Sequence, residues 1–199
     1  VRDGTQRRRP LFPDRIVDPS QLPFVRGRRR GRLPHLEKEG CSYFVTFCVR
    51  GSERRRRRPG VAPEDVAWSS EPWRGRWRPL EDQRVAAAVE AALLRHQGER
   101  YLLSAWCVMP DHVHAVVTPL PPWTLGQVLQ RWKSFTAHEA NRILGRRGGF
   151  WQEESFDHLI RNRESFERFV AYVEGNPVAA GLCTRPEDWP YSSARAAAG

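Results

Sequence analysis

An α+β domain with a four-stranded antiparallel sheet, in the ferredoxin-like order βαββαβ, is the architecture this sequence predicts. Three observations carry the prediction. Segments rich in β-branched and aromatic residues recur at 42–49, 101–109 and 112–118, the last two only two residues apart. Two stretches, 81–97 and 124–144, repeat apolar residues every three or four positions, the period of a helix with one buried face. A short extended segment near 156–161 then precedes a third helical stretch.

The elements follow in chain order. Residues 1–32 carry many Pro and Arg and are expected to form a disordered basic arm ahead of a domain over 33–199. Ser42 to Val49 reads as the first strand. Residues 51–79 read as an insertion of Arg, Pro and Gly with Trp68, Trp73 and Trp77, whose apolar residues follow neither helix nor strand period. In the helix over 81–97, Val85, Val89, Ala92, Leu93 and His96 mark one stripe. Pro110-Asp111 supplies a tight turn between two strands, because proline sets its own φ and aspartate bonds nearby backbone. The helix over 124–144 turns Leu125, Val128, Leu129, Trp132, Phe135, Thr136, Ala140 and Ile143 inward, and Gly145 stops it. The third helix is expected over 164–174.

Charge is lopsided. The 199 residues carry a formal +10, and residues 1–60 hold 17 Lys+Arg against 6 Asp+Glu. The remaining residues hold 16 against 17, so the whole excess lies in the first part. Arg7-Arg8-Arg9, Arg28-Arg29-Arg30 and the run Arg54, Arg55, Arg56, Arg57, Arg58 form three basic blocks. Such blocks track phosphate backbones and release counterions, which makes nucleic acid the expected partner. A solubilising tail, or an arginine-biased genome, is the plainer explanation. No apolar stretch approaches the length of a membrane span. Cys41, Cys48, Cys107 and Cys183 show no Cys-x-x-Cys spacing, so reduced thiols in a cytoplasmic, nucleoid-associated protein are expected rather than a zinc site.

The chemistry concentrates in His112-Val113-His114. Side chains alternate along a strand, so the two imidazoles project together from a stiff support, half of a plausible metal site. Taken alone, a pair of histidines on a solvated sheet face would explain them as well. Tyr172, by the same standard, reads first as helix packing.

Several motifs in order change that balance. Met109-Pro110-Asp111-His112-Val113-His114, Trp132-Lys133-Ser134-Phe135-Thr136, Phe156-Asp157-His158-Leu159-Ile160-Arg161, Tyr172 with Asn176-Pro177, and Asp188-Trp189-Pro190-Tyr191 resemble the REP-associated tyrosine transposases. These are bacterial relatives of single-tyrosine insertion-sequence transposases, within the HUH endonucleases (histidine, hydrophobic residue, histidine). The resemblance covers roughly 32–193 apart from the insertion. It implies a metal-dependent single-strand DNA endonuclease and strand transferase acting on hairpin or palindromic repeat DNA through a 5′-phosphotyrosine. Tyr172 would be the nucleophile, His112 and His114 the metal ligands, and Mg²⁺ or Mn²⁺ the ion. Asn176 would complete the metal shell, although Asn-Pro also suits the cap of a short helix at 178–182.

By position in the matching motifs, Arg131, Lys133 and Arg161 are candidates for phosphate contacts near the site. The basic arm and Arg54 to Arg58 would hold flanking backbone. His35 and His158 recur in the motifs and suit structural hydrogen bonding at least as well as catalysis. Trp68, Trp73 and Trp77 either stack bases or fold back as an apolar clasp. Monomer and homodimer both remain open. Two rival classes also stay open: a catalytically inactive single-strand DNA or RNA-binding module, and a zinc hydrolase that uses metal-bound water.

Overall fold

The structure is a computed structural model that describes residues 9–22, 26–30, 33–52 and 77–198. A hairpin of β1 (Arg26–Arg30) and β2 (Leu33–Glu37) precedes the main domain. Then come β3 (Tyr43–Cys48), α1 (Gln83–Leu94), β4 (Tyr101–Met109), β5 (His112–Pro119), α2 (Leu125–Ile143), β6 (Phe156–Leu159), α3 (Arg163–Ala179) and α4 (Ser193–Ala198). The sheet runs β4-β5-β3-β6 with every pairing antiparallel. Strands β3, β4, β5 and β6 with their helices reproduce the expected ferredoxin-like order.

Alternation along the strands sorts the core into two faces. Val45, Phe47, Val113, Ala115 and Val117 pack under α1 and α2, against Val85, Val89, Leu93, Val128 and Trp132. Phe44, Cys107, Met109 and Val116 face the other way, against Phe166, Phe169 and Val173 of α3. A register shift between Leu103 and Ala105 inserts one residue into β4. The extra residue reverses the parity of the strand beyond it, which sends Trp106 under α1 and Cys107 toward α3. His112 and His114 keep the parity of Val116 and therefore belong to the α3 side.

Local chemistry starts and stops these helices. Thr124 caps α2 in a reciprocal box: its hydroxyl accepts from the Gln127 N–H at 3.3 Å, and the Gln127 side chain accepts from the Thr124 N–H at 3.0 Å. Asp82 caps α1 by accepting from the Arg84 N–H at 2.9 Å.

Three expectations are corrected. The arm is not uniformly disordered. Leu11 donates its N–H to the Leu103 carbonyl at 3.0 Å, Ser104 donates its hydroxyl to the Leu11 carbonyl at 2.8 Å, and Ile16 packs on the α3 face. Leu11, Phe12, Ile16, Val17 and Leu22 offer enough apolar surface between the arginine blocks to dock on the domain. The third helix does not end at 174 but runs through Asn176-Pro177 to Ala179. Phe135, expected inward, stands 44% exposed on α2. Residues 1–8 of the arm and most of the insertion, with Arg54, Arg55, Arg56, Arg57, Arg58, Trp68 and Trp73, lie outside the described residues. Trp77 is described and lies edge-on to Phe150 at 5.6 Å.

Candidate active site

β5 carries both histidines, and β3 sets their surroundings, because Thr46 pairs with His114 and Cys48 with His112 across the ladder. Both imidazoles are fully buried. His112 Nδ1 lies 2.6 Å from Asp111 Oδ1, with both side chains shielded from solvent. His114 Nδ1 lies 2.7 Å from the Thr46 hydroxyl. Each ring is therefore anchored through Nδ1, and the two Nε2 atoms face each other at 3.0 Å.

That geometry fits a divalent ion. A carboxylate on Nδ1 fixes the tautomer that leaves Nε2 as a donor of electrons, the usual support for a metal-binding histidine, and the Thr46 hydroxyl orients the second ring. Two ligands at about 2.1 Å in neighbouring positions of an octahedron stand about 3.0 Å apart. Among the described residues no cluster of three His, Cys, Asp or Glu side chains could hold a metal, so among them a third protein ligand would be of another type. Asn176, 5% exposed on α3, carries an amide oxygen, the type of donor such a site would need. The continuous helix also removes the competing role: Asn176 is inside α3, not the cap of a new helix.

α3 brings Tyr172 to the same place. Its ring centre is 5.5 Å from that of His114 and 5.6 Å from that of Phe44, edge-on to both. Phe44 in turn stacks on His114 at 5.4 Å and on Phe169 at 4.8 Å, so one buried ring spaces the histidine from the helix. Asn176 follows Tyr172 by four residues, hence on the same helix face. The helix ends in a Schellman arrangement. Leu182 N–H donates to the Pro177 carbonyl and Gly181 N–H to the Val178 carbonyl, both at 2.9 Å, with Gly181 at φ +68°. On the same face, burial holds the Cys107 thiol well above the usual range.

The other candidates lie elsewhere. Arg131 and Lys133 are on α2, across the sheet from the imidazoles. Lys133 Nζ donates to the Glu153 carbonyl at 2.8 Å and the Ser155 hydroxyl at 3.1 Å, which ties α2 to the approach to β6. Arg161 follows β6, at the end of β3 marked by the Tyr43–Leu159 pair, whereas His112 marks the opposite end. His158 packs its ring on Phe169 at 5.2 Å. Sequence reasoning missed Asp111 and Thr46 as partners of the histidines. Asp111 had a turn role that explained it already, and Thr46 becomes visible only through the strand register.

Residues 82–176 match the family model described as "Transposase IS200 like". The matched segment includes α1, both histidines, α2, β6 and α3 as far as Asn176. The REP-associated tyrosine transposase of Escherichia coli K12 is 28% identical over 107 residues, which cover 51% of this chain and 60% of that protein. A Haemophilus influenzae protein assigned to the same group is 29% identical over 102 residues, 45% of this chain and 56% of that protein. The chain thus spans less than two thirds of either relative. A solved structure of a REP-associated tyrosine transposase bound to a REP hairpin has the same fold, with a TM-score of 0.57 at 21% identity and 82% coverage of each chain.

Proposed function

We propose that this chain is a metal-assisted DNA strand transferase that nicks and rejoins single-stranded or hairpin repeat DNA through Tyr172. The observation that carries the reading is the placement of the Tyr172 ring 5.5 Å from His114, whose Nε2 faces that of His112. The phenol ring and the two imidazoles are neighbours on the α3 side of the sheet, which supports a nucleophile and an ion acting on one phosphate.

The division of labour follows from the residues. Tyr172 Oη attacks the scissile phosphorus, an O–P bond forms to the protein, and the 3′-oxygen leaves with a proton. The covalent link conserves the phosphodiester, so a second strand can be joined without ATP. His112 and His114, with the amide of Asn176, would hold Mg²⁺ or Mn²⁺; when bound, the ion supplies charge neutralisation on the phosphate. Asp111 holds the His112 imidazole in the required tautomer, and Thr46 orients that of His114. Burial of Phe44 against both rings keeps the tyrosine helix at a fixed distance from β5.

Labelled hairpin oligonucleotide incubated with the protein and Mn²⁺ should give an SDS-resistant complex. Tyr172→Phe should abolish it while leaving the fold and the circular dichroism unchanged. A free 5′-phosphate product without an adduct would instead indicate hydrolysis by metal-bound water. Adduct formation undiminished in Tyr172→Phe would overturn the assignment of the nucleophile.

A further inference from the structure

The exposed face of α2 carries a feature that strand cleavage does not use. Phe135 is 44% exposed although the inward stripe of Leu125, Val128, Leu129, Trp132, Thr136 and Ala140 is complete without it. The Arg95 guanidinium stands 5.8 Å from its ring centre. One turn earlier Arg131 lies 5.0 Å from the Trp123 ring, which Arg100 also approaches at 4.4 Å. Residues four apart share a helix face, so Arg131 and Phe135 lie on one side of α2.

Several other arginines on the described surface have carboxylate partners: Arg78, Arg84, Arg142, Arg163 and Arg185 all do. Among the described residues none of Arg95, Arg100 and Arg131 is in an ion pair. Arg95 beside the exposed Phe135, with Arg100 and Arg131 on the half-buried Trp123, complements an anion that also has flat apolar faces.

We propose that this α2 face binds a second, unpaired stretch of the DNA strand, on the side of the sheet opposite Tyr172. A guanidinium stacked on an aromatic keeps its N–H edge free for phosphate oxygens. An exposed ring offers a platform to an unpaired base, which a duplex stem with stacked bases cannot use. The choice of DNA among polyanions rests on the strand-transfer reading.

Fluorescence anisotropy with the full chain tests this, using a short labelled single strand and a blunt hairpin stem of the same composition. Phe135→Ala and Arg131→Ala should each weaken single-strand binding by about tenfold. Phe135→Tyr should retain affinity, since it keeps the ring. Arg131→Ala should also reduce the slope of log affinity against log salt by about 0.7, and Phe135→Ala should leave it unchanged. Affinity within twofold of the parent in both alanine variants would overturn the proposal, as would an equal loss on the blunt stem. Self-association abolished by Phe135→Ala with DNA affinity untouched would assign the face to a second copy and also overturn it. The Tyr172 adduct of the parent is scored separately, so failure here leaves the reading of the reaction standing.

Discussion

Asp111 and Thr46 do for the histidines what a free imidazole cannot do for itself: the carboxylate chooses the tautomer of His112, and the hydroxyl holds the ring of His114 in one orientation. The hydroxyl of Thr46 sits 2.7 Å from His114 Nδ1. Thr46→Val keeps the β-branched shape in the strand and deletes that bond. Its Mn²⁺ affinity, measured by calorimetry, should fall about 10–100-fold with little change in melting temperature; unchanged affinity would remove the positioning role. Glu174, also on α3, gives a prediction of opposite kind. Burial raises its pKa above the usual carboxylate value, against the lowering effect of the Ser193 hydroxyl, which donates to it at 2.8 Å. With the folded value above the unfolded one of about 4.3, the folded state holds the proton more tightly. Its ionisation therefore opposes folding, and the loss grows as pH rises from the unfolded value through the folded one. Glu174→Gln keeps an acceptor for Ser193 and should melt higher than the parent at neutral pH. The two melting curves should converge below the unfolded value.

At the scale of elements, α3 is the part on which the site depends, and its two ends are made differently. Asn162 caps the start by accepting from the Ser165 N–H at 2.9 Å. The end depends on Gly181, whose φ of +68° is the left-handed conformation that a Cβ disfavours. Gly181→Ala should cost about 1–2 kcal/mol in urea unfolding, although no atom outside its neighbours crowds the added methyl. The cost is conformational. Pro177 inside the helix provides no N–H for the turn above it, yet the helix continues because Phe166, Phe169 and Val173 bury one face against the sheet. Tertiary packing outweighs the local penalty here, and it is the reason Asn176 shares a helix with Tyr172.

For the molecule as a whole, the sheet is a partition. One side holds the larger apolar core under α1 and α2, and the other holds the histidines, the tyrosine helix and a smaller aromatic cluster. Trp106 anchors the first side, fully buried, with its indole N–H donating to Glu90 at 3.0 Å. Trp106→Ala should destabilise the fold by about 3–5 kcal/mol in chemical denaturation. Loss of adduct formation in that variant should follow the unfolded fraction rather than precede it. Among the described residues no helix is long and apolar enough to cross a membrane.

Much of this was legible without coordinates. Strand alternation put His112 and His114 on one face, helical spacing aligned Tyr172 with Asn176, and the element order matched the sheet. Local patterns suffice there because each is set by backbone periodicity alone. The exposed Phe135, the docked segment around Leu11 and Phe12, and the unbroken α3 were not legible. Burial of those residues depends on which distant surface meets them, and periodicity carries no information about that. The shared chemistry was decided the same way: only the pairing of β3 with β5 brings Thr46 to His114, and only the packing of α3 on Phe44 brings the phenol beside the imidazoles.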